Sequence, residues 1–164
     1  LALLAANEYS SSSVFFYAAA YSVASLSMFC VLQIVVSALG NDTVNAFAGL
    51  AKRNKSLAFA ATVALLSLAG IPPTTGFFAK YYIFTSAFHS GYGGVVLLAI
   101  VASLIGVYYY FRLIIAMYFK APMNVSDSEE KPIVISLSHQ ILLVAATLLI
   151  ICLGVYPDIL IKLL

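Results

Sequence analysis

The sequence predicts an all-α fold, a polytopic bundle of membrane-spanning helices in which one helix is discontinuous. Three observations carry this reading. Of the 164 residues, 63% are hydrophobic and only 9% charged, where a soluble domain carries about a quarter charged residues. The mean hydropathy is +1.06, and apolar stretches recur at the length of about 20 residues that a helix needs to cross a hydrocarbon core about 30 Å thick. The third is the stretch 57–88, which as a single helix would extend about 48 Å and is interrupted near its middle by Gly70-Ile71-Pro72-Pro73. A net charge of +2 is too small to imply nucleic acid or an acidic partner.

The first span is expected over residues 14–39. Ser10 to Ser13 are expected to cap it, and Gly40-Asn41-Asp42 to stop it. Its small and hydroxyl residues Ala18, Ser22, Ser25 and Ser27 suit close contact with neighbouring helices, and Gln33 reads as an interhelical hydrogen bond. The second unit is 57–88, broken at 70–74. The third span is 94–119 and the fourth 133–155. The intervening linker, 120–132, holds Pro122, Asp127, Glu129 and Glu130 and reads as a solvated loop, too exposed for a metal site.

Basic residues orient the bundle. Lys52, Arg53 and Lys55 fall in the first loop and Lys120 and Lys131 in the third, against Lys162 alone on the opposite side, which assigns the first and third loops to the cytoplasm, or to the matrix or stroma of an organelle. Cys30 and Cys152 lie inside apolar spans without metal or redox spacing and read as buried, unreactive thiols. No phosphate loop, dinucleotide fingerprint, haem-attachment or metalloprotease motif occurs, so the chain is not expected to carry redox chemistry itself. It opens Leu-Ala-Leu-Leu without a methionine or signal peptide, and reads as the carboxy-terminal piece of a longer protein.

The chemistry is expected at the break. Pro72 and Pro73 have no N–H, which removes the usual donors to the carbonyls of Leu68 and Ala69. Unpaired carbonyls are costly in lipid, so a break of this kind belongs inside protein or beside a wet cavity. Thr74 and Thr75 can cap a second half-helix beginning near Gly76. Lys80 then falls in its second turn, among Phe77, Phe78, Tyr81 and Tyr82. Burial and the positive end of the half-helix both disfavour the ammonium form, as a group that takes up and releases a proton requires. Snorkelling is the plain alternative. It is opposed by the ~12 Å left to the outer helix end and by the tilt of helical side chains towards the N-terminus, which aims Lys80 at the break. A static salt bridge would need an acidic side chain within about 4 Å.

Arg112, in the third span after Tyr108-Tyr109-Tyr110-Phe111, reads as structural ahead of a relay or interface role, and Tyr81 shares that second reading. His89 and His139 lie near span ends and are assigned no role.

The run Gly49-Leu50-Ala51-Lys52-Arg53-Asn54, the stretch from Thr62 through Gly70-Ile71-Pro72-Pro73-Thr74-Thr75-Gly76 to Lys80, Tyr108-Tyr109-Tyr110-Phe111-Arg112 and Leu153-Gly154-Val155-Tyr156-Pro157 together resemble the subunit N family of proton-pumping NADH:quinone oxidoreductase, respiratory complex I. The resemblance covers nearly the whole chain. It implies an antiporter-like fold of inverted repeats, each with a broken helix, of which this chain corresponds to the last four spans. It also implies a translocase subunit without a redox centre, in which Lys80 is the outward proton-transfer group and Leu68, Ala69, Gly70, Pro72, Pro73, Thr74, Thr75 and Gly76 line the path. NADH, FMN, iron–sulfur clusters and quinone would bind other subunits, and this chain would hold no cofactor. The implied partners are subunits M, K and J within the lipid bilayer, in the inner membrane of a bacterium ahead of an organellar inner membrane or thylakoid. The rival readings are an Mrp-type cation/proton antiporter or membrane hydrogenase subunit with the same fold, and a non-conducting membrane scaffold in which Lys80 is permanently paired.

Overall fold

The structure, a computed structural model, describes residues 8–121 and 132–157, with side chains from residue 12 onward. Six α-helices and one 3₁₀ turn account for the described chain: α1 (Glu8–Leu39), the 3₁₀ turn Val44–Phe47, α2 (Leu50–Arg53), α3 (Lys55–Ala69), α4 (Thr75–His89), α5 (Gly93–Phe119) and α6 (Leu137–Val155). The fold is all-α, with no strand among the described residues. The expected linker loop with Pro122, Asp127, Glu129 and Glu130 lies outside the described residues, as do Lys131, Lys162 and the first residues of the chain.

Within α1, Ser12–Leu39 is long and apolar enough to cross a membrane, as are α5 and α6. α3 and α4 have 15 residues each, about 22 Å apiece, and neither suffices alone. α1 starts at Glu8, so the serines expected to cap it lie inside the helix. Ser13 is buried there, and the side chains of Ser10 and Ser11 fall outside the described set.

The buried face of α1 runs through Phe16, Ala20, Ala24, Ser27, Val31 and Ile34, the spacing of three and four that puts residues on one helical stripe. Ala18 and Ser22 fall off that stripe and are exposed, so Ser27 alone of the four small residues singled out is buried. Gln33 is also exposed and forms no interhelical hydrogen bond among the described residues. Composition marks a helix as apolar; the stripe decides which small residues meet a neighbour.

α1 ends at Gly40, whose φ of 66° suits a residue without a Cβ, and whose N–H donates to Val36 O at 2.8 Å. The loop that follows folds back into the bundle. Phe47 and Leu50 are buried, and the Gly49 N–H donates to Ala116 O of α5 at 3.2 Å. Asn54 ties the same end together twice. Its Oδ1 accepts from the Leu57 N–H at 2.9 Å and caps α3, and its Nδ2 donates to Ile133 O at 2.9 Å, fixing the segment that leads into α6. Around this end lies the main core, where Val31, Val35, Leu50, Leu57 and Met117 are fully or almost fully buried.

Candidate functional site at the helix break

α3 stops where its sequence runs out of donors. Gly70 adopts φ 81°, its N–H donates to Ser67 O at 3.0 Å, and the Ile71 N–H reaches back to Leu66 O at 3.0 Å. These paired bonds are a Schellman C-cap, which favours glycine at the left-handed position. Pro72 and Pro73, joined by a cis peptide bond, cannot donate. The Ala69 carbonyl finds its partner elsewhere: Lys80 Nζ donates to it at 2.8 Å across the break.

Lys80 thus turns back along α4 towards the break and does not reach for the outer surface. Among the described residues it has no acidic partner, and the carbonyl is its one polar contact. Its electrostatic surroundings are two-sided. The start of α4 disfavours the ammonium, as the sequence indicates, but the carbonyl end of α3, where the ammonium is seated, favours it. The second contribution follows from the fold-back. Gly70 makes room for the lysine stem, since a Cβ there would sit 2.8 Å from Lys80 Cδ.

The threonines do not cap in the expected manner. Thr74 occupies the N-cap position, but its hydroxyl donates to Ile71 O at 2.7 Å and tightens the turn. Thr75 donates to Ile150 O of α6 at 2.6 Å. The α4 terminus is instead satisfied from α3, where Ser67 Oγ accepts from the Gly76 N–H at 3.2 Å. A hydroxyl nine residues upstream can serve because the half-helices approach very closely: a Cβ at Gly76 would lie 1.8 Å from Ser67 O. On the other side, a Cβ at Gly154 of α6 would lie 2.3 Å from Pro73 O, so the break is held between α3 and α6 by backbone contact.

A cavity of about 310 Å³ opens beside Lys80, bounded by α1, α3, α4 and α5. Ser67, Tyr17, Tyr21, Tyr110 and Ser103 bring hydroxyls to its wall, and Leu68 and Gly76 complete the side next to the break. Sequence reading assigned no role to Ser67, Tyr17, Tyr21 or Ser103. Their polarity inside apolar spans was the available signal, but convergence on one cavity depends on helix rotation. Tyr81 and Arg112 lie apart from it, Tyr81 being 53% exposed and Arg112 on the exposed face of α5. No cluster of three metal-ligating side chains occurs among the described residues.

Fold and site together define a membrane helix bundle in which a spanning unit is split into two half-helices around a half-buried lysine. Residues 1–106 match the family model for the membrane domain of NADH:quinone oxidoreductase and Mrp antiporters, and the chain belongs to this family. It is 40% identical over 150 residues to NADH-quinone oxidoreductase subunit N of Cytophaga hutchinsonii, covering 92% of this chain and 32% of that protein. Identity to subunit N of Flavobacterium psychrophilum is also 40%, over 99% of this chain and 34% of the relative. The fold is similar to a chain in the solved structure of respiratory complex I from Thermus thermophilus with bound aureothin, with a TM-score of 0.80 and 30% identity over 98% of this chain and 35% of that one. The chain spans about a third of the length of these relatives.

Proposed function

We propose that this chain is the part of a subunit N-type protein that carries protons across the membrane in an NADH:quinone oxidoreductase, with Lys80 as the proton-transfer group. The carrying observation is the seat of Lys80, with Nζ on the Ala69 carbonyl at the break and a hydroxyl-lined cavity alongside. Water admitted to the cavity reaches the amine. Ala69 O accepts a hydrogen bond from either protonation state, because a neutral amine keeps two N–H groups. The lysine can therefore lose and regain a proton without vacating its place. A change of charge in a neighbouring subunit would shift the balance between the opposed half-helix ends and expel the proton.

Electron transfer from NADH to quinone belongs, on this reading, to other subunits that hold FMN, iron–sulfur clusters and the quinone, and this chain holds no cofactor. Subunits M, K and J are its neighbours, and the bacterial inner membrane its location. The relatives' description as NADH-quinone oxidoreductase subunits favours this over a free-standing cation/proton antiporter.

The test uses the full-length protein in its complex, in sealed membrane vesicles. Proton uptake and NADH:quinone turnover are measured for Lys80→Ala and Lys80→Arg, the latter because a guanidinium keeps the charge but does not release its proton. Both variants are expected to assemble and to lose proton transfer by about a hundredfold or more. Wild-type pumping in either assembled variant would make Lys80 a structural plug for the Ala69 carbonyl.

A further inference from the structure

We propose that the groove between α3 and α6, remote from Lys80, binds an anionic phospholipid. The groove encloses about 630 Å³ and has the polarity of an amphiphile. One end is polar, formed by Lys55, Ser56 and Gln140, and the walls below are mainly apolar, with Phe59, Val144 and Leu148 among them and Thr147 as the polar exception. Phe59 and Val144 are more than half exposed, as side chains facing a lipid chain would be. The Lys55, Ser56 and Gln140 side chains have no hydrogen-bond partner among the described residues, whereas Asn54 beside them is fully engaged in holding α3 and Ile133.

Length and charge identify the occupant. From Gln140 to Leu148 the groove follows α6 for about 12 Å, close to the roughly 15 Å of one leaflet's hydrocarbon. An acyl chain lying along it would therefore start at the lysine and end near mid-membrane. Lys52, Arg53 and Lys55 put three cations within four residues, without an acid in the run 50–60. This complements a phosphate diester in the anionic leaflet that the positive-inside pattern assigns to this side. Lys55 would bind the phosphate, while Ser56 and Gln140 donate to the glycerol and ester oxygens.

The full-length protein, exchanged into vesicles of phosphatidylcholine mixed with phosphatidylglycerol, would be extracted and its retained lipid measured by native mass spectrometry. Wild type is expected to retain phosphatidylglycerol preferentially. Lys55→Gln should lower that retention about fivefold, and Val144→Trp, which fills the groove from an exposed position, should lose it. Leu98→Trp, equally bulky at a site on α5 that is 71% exposed, should retain lipid as wild type does. Equal retention of the two lipids, or retention unchanged by both groove variants, overturns the proposal. So does a photoreactive side chain at position 148 that cross-links to protein and not to lipid.

Discussion

The end of the bundle around Asn54 and the break near its middle are built from different materials. At the Asn54 end Leu50, Leu57, Val31 and Met117 interlock as large apolar side chains, and Asn54 adds two hydrogen bonds to fix the strands of chain around them. At the break the closest approaches are between main-chain atoms. Gly76 and Gly154 place backbone against backbone, and Ser67, Thr75 and Lys80 bond to main-chain groups. One region gains stability by filling space. The other holds a defined geometry around polar main-chain atoms while leaving a cavity open, as the proposed proton path would need.

That contrast can be broken most sharply at Gly76. Gly76→Val drives side-chain atoms into Ser67 O and should cost about 3 kcal/mol or more, seen as loss of assembled full-length protein in the membrane. If assembly were normal, the close approach of α3 and α4 would not be needed. Leu57→Ala is expected to cost about 2–5 kcal/mol at the Asn54 end, lowering the melting temperature of the purified protein. Per assembled complex, however, proton transfer should stay at the wild-type rate. A loss of pumping there would erase the functional distinction between the two regions.

Asn54→Ala removes a helix cap and a tie to Ile133, for about 1–2 kcal/mol, again with pumping preserved. Thr75→Val is the gentlest change. Losing one bond to α6 should cost about 0.6 kcal/mol, yet it loosens the break against Ile150, so proton transfer should fall more than the melting temperature suggests. An unchanged pumping rate would mean that Gly154 alone seats the break.

Much of the fold is legible in the residues themselves. Helices follow from apolar length, because a backbone in lipid must satisfy its own polar groups. The end of α3 is written in Gly70 and the two prolines. The second-turn position of Lys80 in α4 follows by counting, and its backward direction from the tilt of helical side chains. The capping of α4 was not legible. Thr74 and Thr75 are good caps by residue type, but their hydroxyls turn to donate to carbonyls, Ile71 O and Ile150 O, and Thr74 accepts from no N–H of the first turn. Ser67 took their place because α3 lies within backbone contact. The exposed positions of Ala18, Ser22 and Gln33 escaped prediction for a related reason: in a helix apolar on all sides, hydropathy does not say which face meets protein.

The sequence by itself therefore determined the material and the interruption: apolar helices, a stop at Gly70, and a lysine shortly after the restart. Those are local consequences of missing donors, missing Cβ atoms and hydrophobic length. Tertiary structure alone decided which groups meet across the break. The partner of the Ala69 carbonyl, the cap on Gly76, the clamp from α6 and the convergence of four tyrosine and serine hydroxyls on the cavity beside Ser67 and Lys80 all depend on how the helices are rotated and how closely they lie. Hydrogen bonds act over about 3 Å, and no spacing along one strand of chain fixes distances of that size between helices.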